Sequence, residues 1–161
     1  MPIRKAQDLP TGGKILSLDV GEKTIGLAVC DTSRTIASPA HTLKRTKWGK
    51  DKTILGDFIR AEGIVAAVVG LPLGLDGSIG ASADRSVNFA KLIEDELGIP
   101  VLLWDERMST AAAERSLFEQ RTGRQTRASK KDIKADVDSV AAALILQSVL
   151  DNLRFTATQP D

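Results

Sequence analysis

The sequence predicts an α/β domain: a mixed five-stranded sheet flanked by helices. Three observations predict it. Two alternating apolar runs, Lys14–Val20 and Thr24–Asp31, are separated only by Gly21-Glu22-Lys23, the mark of an antiparallel hairpin. Later apolar runs alternate with amphipathic stretches, as β-α-β crossovers do. One of those runs, Ile64–Gly70, is apolar on both faces, which suits a strand buried inside a parallel region.

In the second run Ile25, Leu27 and Val29 alternate with Gly26, Ala28 and Cys30. Thr35–Leu43 reads as a third strand. Pro39 cannot donate to a ladder, so this strand belongs at an edge. A helix is expected from about Lys50, burying Ile54, Leu55, Phe58 and Ile59 and stopping at Gly63. After the fourth strand, Ile64–Gly70, a helix runs from about Ser82, which can cap it, to Leu97, where Gly98 and Pro100 end it. Val101–Trp104 is the fifth strand. Ser109 caps a helix to about Phe118, a basic loop follows over 121–134, and a last helix runs from about Asp136 to Leu153. This β-β-β-α-β-α-β-α-α order is the layout of the ribonuclease H-like fold. One domain over 14–153 results, with 1–13 and 154–161 as flexible tails.

Bulk composition restricts function only loosely. The 161 residues suit one domain, and 42% hydrophobic content suffices for a core. Lys and Arg number 22 against 21 Asp and Glu, so net charge is silent about nucleic acid. Its distribution is not. Basic residues gather at Lys44, Arg45, Lys47, Lys50 and Lys52, and again from Arg115 to Lys134. One cysteine, Cys30, excludes an internal disulfide, lies in a strand pattern and fits a reducing compartment. No apolar stretch approaches a membrane span, and the N-terminus lacks the apolar region of a signal peptide, so a cytoplasmic protein is expected.

Three acids stand out. Asp19 ends an apolar run and opens a glycine turn. Glu106 ends the run Val101-Leu102-Leu103-Trp104-Asp105. Asp138 begins an alanine-rich helical pattern. Burying an unpaired charge is costly, and strand and helix ends offer an acid a cheaper place. Acids converging from such ends call for a cation, which points to metal-dependent phosphate chemistry. By strand alternation Glu106 shares a face with Trp104 and Leu102, while Asp105 points the other way. Asp138 shares a stripe with Ala141, Ala142, Ile145 and Val149, expected to face the sheet. Asp136 falls on the stripe of Ser139, Val140 and Ala143 and is an auxiliary candidate. The plainer readings are a helix-start acid favoured by the dipole for Asp138, a turn-shaping acid for Asp19 and a solvated strand end for Glu106. Arg107 either binds phosphate or pairs with an acid. His41, the lone histidine, sits on the edge strand and suits a surface role.

Four segments carry a family resemblance: Asp19-Val20-Gly21-Glu22-Lys23-Thr24-Ile25-Gly26-Leu27-Ala28; Val69-Gly70-Leu71-Pro72-Leu73 with Asp76-Gly77; Asp105-Glu106-Arg107-Met108-Ser109-Thr110; and Val137-Asp138-Ser139-Val140-Ala141-Ala142-Ala143. In this order the chain resembles the YqgF/RuvX family of pre-16S ribosomal RNA nucleases, earlier described as Holliday-junction-resolvase-like. The resemblance implies a ribonuclease H-like fold and a nuclease using Mg²⁺ or Mn²⁺ held by Asp19, Glu106 and Asp138. It also implies maturation of the 5′ end of 16S rRNA, with precursor rRNA or a pre-ribosomal particle as partner. Lys23, Arg107, Arg124, Arg127, Lys130 and Lys131 are the candidate nucleic-acid contacts. The chain departs from junction resolvases at Gly70-Leu71-Pro72, which supplies no carboxylate after the fourth strand. Glu106 is then the substitute. The rival readings are a DNA-junction resolvase, a non-catalytic RNA-binding or ribosome-assembly module, and the phosphate-binding hairpin of the sugar-kinase and actin superfamily. That last architecture needs two such lobes, and 161 residues supply one.

Overall fold

Five strands lie side by side in the order β3-β2-β1-β4-β5, in a computed structural model describing residues 2–3, 5–72, 80–108 and 130–158, side chains of 130–137 and 156–158 excepted. β1 (Lys14–Val20) and β2 (Thr24–Cys30) form the predicted hairpin, with Asp19 opposite Gly26. β3 (Ala37–Lys44) is the antiparallel edge strand, starting two residues later than expected. Its register shifts between Leu27 and Ala28, beside Pro39, which is where a bulge accommodates a residue without an N–H. β4 (Ile64–Leu71) runs parallel to β1, and β5 (Val101–Asp105) parallel to β4. The ends of β1, β4 and β5, the start of β2 and the end of β3 therefore form one rim.

α1 (Trp48–Glu62) begins two residues earlier than expected and ends at Gly63, whose φ of 66° is left-handed. Leu55 and Ile59 are buried as predicted, but Ile54 is 36% exposed: it lies off the sheet-facing stripe. α2 (Ala81–Leu92) continues through a π turn, Ile93–Leu97, to Gly98 at φ 72°. Ser82 does not cap it. Gly80 holds the cap position, one residue before the helix starts, so Ser82 is already inside the first turn. α3 (Lys130–Thr158) is longer at both ends than the predicted 136–153. Lys130, Lys131 and Lys134 thus belong to a helix, not a loop: good helix formers extend the pattern beyond the apolar stripe that marks it in sequence. The helix expected over 109–118, the basic positions 121–129 including Arg124 and Arg127, and Asp76-Gly77 lie outside the described residues, as does the side chain of Asp136.

The leader expected to fray is instead tied down. Ile3 bridges Leu102, with its N–H donating to Val101 O at 2.7 Å and its carbonyl accepting from Leu103 N–H at 2.9 Å. Ala6 and Leu9 are buried in the core. Burial of two small apolar side chains and a short strand pairing outweigh the tendency of a polar terminus to stay loose.

The sheet separates two cores. On one side Leu16, Leu18, Val20, Ile25, Leu27, Val69 and Leu103 meet Leu55 and Ile59 of α1 and Phe89 and Ala90 of α2. On the other, Ile15, Ala66, Val68, Leu102 and Trp104 meet Ala141, Ile145 and Val149 of α3, and Ala28 meets Ala142 and Ala143. Among the described residues no helix is long and apolar enough to cross a membrane.

Candidate active site

Alternation in β1 assigns the first acid to a face. Leu16, Leu18 and Val20 belong to the α1–α2 core and Ile15 to the α3 core, so Ser17 and Asp19 face α3. The same logic puts Leu102 and Trp104 toward α3; β5 ends at Asp105, and Glu106 stays on that face through its contact with Gly70 rather than through strand alternation. Glu106 opens a single turn of 3-10 helix, Glu106–Met108. Its position is fixed from below: a Cβ added at Gly70 would stand 2.9 Å from Glu106 Oε1 and 2.8 Å from Ile145 Cδ1. Glu106 therefore lies across Gly70, in space that any larger residue would fill.

Asp138 comes in from α3. All residues of its predicted stripe, Ala141, Ala142, Ile145 and Val149, are buried. The helix backbone approaches so closely here that a Cβ at Gly26 would fall 2.0 Å from the Asp138 carbonyl oxygen. Gly26 is the cross-strand partner of Asp19, so the glycine that admits the helix also brings the first and last acids to one place on the sheet. The Thr24 hydroxyl donates to Asp138 Oδ2 at 2.6 Å and orients it. Asp19, Glu106 and Asp138 are each under a tenth exposed, at 8%, 7% and 8%.

The three acids thus share one face and one rim. Among the described residues, no three His, Cys, Asp or Glu side chains are gathered closely enough to hold an ion as they stand. The chemistry of the donors still fits a hard divalent cation: carboxylate oxygens, nearly buried, of like charge, at an open strand end.

Asp105 turns away from these acids and takes Arg107 with it. The Arg107 guanidinium donates to Asp105 Oδ2 at 2.7 Å from Nη2, and from Nε at 3.0 Å and 3.1 Å to the two oxygens. The Arg107 hydrogen bonds hold the Asp105 carboxyl below the usual carboxylate range. Of the two readings of Arg107, pairing with an acid is the one the geometry contains; it is exposed enough to meet a phosphate as well. Lys23 is exposed at the hairpin turn. His41 is exposed on the edge strand, its ring 6.1 Å from that of Phe58. Cys30 is buried and accepts the Ile15 N–H at 3.2 Å; burial pushes its thiol up, so it stays protonated.

Sequence reasoning missed Thr24, Gly26 and Ser17, and read Gly70 only as part of a backbone-shaped rim. Thr24 and Gly26 were in plain view inside the hairpin, but only the position of α3 reveals what they touch. Ser17 lies two residues before Asp19 on the same face, fully buried, and among the described residues its hydroxyl has no hydrogen-bond partner.

The sequence model of the RuvX family, described as Holliday junction resolvase, matches residues 13–152. Among curated proteins, one from Paracoccus denitrificans is 43% identical over 150 residues, covering 93% of this chain and 91% of that protein. One from Cereibacter sphaeroides is 45% identical over 145 residues, covering 90% and 87%. Both bear the name "Putative pre-16S rRNA nuclease". Among solved structures, RuvC of T. thermophilus in complex with a Holliday junction substrate superposes with a TM-score of 0.53 at 14% identity, covering 88% of this chain and 96% of that one. That likeness establishes the ribonuclease H-like fold read from the order of elements. With a family match across nearly the whole domain and relatives above 40% identity, the chain belongs to the RuvX family.

Proposed function

We propose that this protein is a metal-dependent nuclease that processes the 5′ end of precursor 16S rRNA in the cytoplasm during ribosome biogenesis. The observation that carries the reading is the placement of Asp19, Glu106 and Asp138 on one face of the sheet at one rim, each nearly buried. Family membership and the names of the relatives support the reaction class and the substrate. Asp19, from the central strand, and Glu106 and Asp138, from its two sides, would hold Mg²⁺ or Mn²⁺, with Asp136 as an auxiliary donor. A divalent ion bound there supplies activation of water and neutralisation of charge on a phosphodiester.

The chain's own residues do the rest. Thr24 fixes Asp138 by its hydroxyl, and Gly70 leaves the space that Glu106 occupies. Arg107, at the β5 end, neutralises part of a phosphate backbone, as do Lys23 and the basic residues Arg124, Arg127, Lys130 and Lys131.

A DNA-junction resolvase is the second reading, favoured by the family's description and by the shared fold. The absence of a carboxylate at Gly70-Leu71-Pro72 counts against it. The test is purified protein, with and without Mn²⁺, on a precursor-like RNA and on a four-way DNA junction. Metal-dependent cleavage of the RNA is expected. Cleavage of the junction alone would transfer the reading to the resolvase, and no cleavage of either would leave a binding module.

A further inference from the structure

We infer that Lys44, Lys47 and Lys50, together with Lys23, form a second phosphate-binding track on the β3 side of the acids, which holds the substrate strand as it leaves the site. The inference rests on the nuclease reading. Its ligand is a single-stranded phosphodiester backbone.

Register places the first of these lysines. Lys44 is the cross-strand partner of Thr24, and directly opposed residues of an antiparallel pair point to the same face, with Cβ atoms about 4.5–5.5 Å apart. The next pair confirms the facing: Ile25 and Leu43 are both in the α1–α2 core. Lys44 therefore stands on the α3 face beside the threonine that holds Asp138. Lys23 is at the hairpin turn just before Thr24, and its carbonyl accepts the Arg45 N–H at 2.9 Å. Lys47 and Lys50 follow Lys44 along the same rim, at the start of α1, which packs on the other face of the sheet, so the track turns around the rim from one face to the other.

Four further facts favour a ligand over a merely solvated row. All four lysines are exposed, and among the described residues none of their side chains makes an ion pair or hydrogen bond. By contrast Lys52, next along the helix, pairs with Glu96 at 3.4 Å. The acid in their midst, Asp51, is buried and occupied: it accepts the Thr46 hydroxyl at 2.6 Å and the Thr46 N–H at 3.0 Å. Finally, cations are disfavoured by the dipole at the start of a helix, so the stability of α1 does not call for Lys47 and Lys50 there.

The backbone beneath the row is held still. Arg45 donates to the Gly21 carbonyl at 2.8 Å and lies 5.3 Å over the Phe89 ring, which ties the end of β3 to the turn that follows Asp19. A strand passing over the acids would so meet lysines fixed on one side and the Arg107 end of β5 on the other.

The test compares wild type, the triple variant Lys44→Ala/Lys47→Ala/Lys50→Ala, and a charge-matched control toward the opposite rim, Lys14→Ala/Arg60→Ala/Lys91→Ala, at the start of β1 and the ends of α1 and α2. Binding to a 20-nucleotide single-stranded RNA and to a four-way DNA junction is measured without metal across a salt series, with melting curves on the same samples. Single-turnover cleavage is then measured with Mn²⁺. For the triple variant, RNA affinity at low salt should fall by roughly tenfold or more and the slope of log K against log salt should shrink by about 2, from about 0.7 per phosphate contact. The control should bind as wild type does. The cleavage rate at saturating protein should stay within about threefold, because the lysines hold the strand and do not touch the reacting atoms. Lys47→Glu alone, at an exposed position, should weaken binding in the same direction.

An unchanged affinity and salt slope in the triple variant, while wild type binds and cleaves RNA, would overturn the track and leave the nuclease reading standing. Equal weakening in the control would also overturn it, since charge anywhere would then do. Loss of junction binding alone would make the strand DNA. A wild type that neither binds nor cleaves RNA or junction would sink both readings.

Discussion

The two faces of the sheet are built from different residues. Toward α1 and α2 the strands present Leu16, Leu18, Val20, Ile25 and Leu27, which pack on Leu55, Ile59 and Phe89. Toward α3, Ile15, Val68, Leu102 and Trp104 build a second apolar core, but around the acids the strands present Ser17, Asp19, Thr24, Gly26, Ala28 and Gly70, and Ala142 and Ala143 pack on Ala28. Large side chains on the first face bury much apolar area and set stability. Small ones around the acids on the second let a helix backbone come down onto the sheet at Gly26, beside the rim that carries the three carboxylates. The first face tolerates changes that keep volume; the second should tolerate almost no added atom near Gly26.

This contrast can be broken in measurable ways. The largest effect on stability is expected on the bulky face: Leu18→Ala should lower unfolding free energy by about 2–5 kcal/mol in urea titration, with cleavage per folded molecule unchanged. Gly26→Ala should cost about 1–3 kcal/mol, because its methyl meets backbone at Asp138, and should reduce cleavage far more than that loss explains. If Gly26→Ala melts and cleaves as wild type does, the close approach of α3 plays no part in the site. Thr24→Val should cost about 1–2 kcal/mol and weaken Mn²⁺ affinity roughly tenfold or more, followed by metal titration of cleavage. Unaltered metal affinity would remove the Thr24 hydroxyl from the orientation of Asp138.

The smallest effect concerns Asp105. Its carboxyl is held below the usual range by Arg107, so the pair's contribution is fully present above the ordinary carboxylate pKa. It fades as pH falls through the lowered value. Arg107→Ala should therefore cost about 1 kcal/mol or less at neutral pH and almost nothing in strong acid, measured as urea midpoints across that window.

Much of this was legible in the sequence, for reasons the two faces explain. Strands showed themselves because Ile25, Leu27 and Val29 alternate and because Ile64–Leu71 is apolar throughout. Pro39 marked the edge, and Gly63 and Gly98 marked helix ends. The face of Asp138 followed from periodicity alone. What could not be read is what one element does to another. Gly26 looks like any small strand residue until α3 lies on it, and Thr24 like any hairpin residue until it bonds Asp138. The anchoring of Ile3, Ala6 and Leu9 was hidden because a polar leader with scattered apolar residues has no period to detect. The early start of α3 was hidden because residues 130–135 carry charge where an apolar stripe was sought.

The central claim is that the acids on the α3 face hold the ion that makes this fold a nuclease. The most direct measurement is Mn²⁺-dependent cleavage of a precursor-like RNA by Asp138→Asn, alongside RNA binding and melting of the same preparation. The account predicts cleavage lowered by roughly a hundredfold or more, since a ligand is lost. RNA binding should be equal or slightly tighter, because a negative charge near phosphate is gone, and metal-free stability should be equal or higher. Cleavage at the wild-type rate by Asp138→Asn would contradict the account.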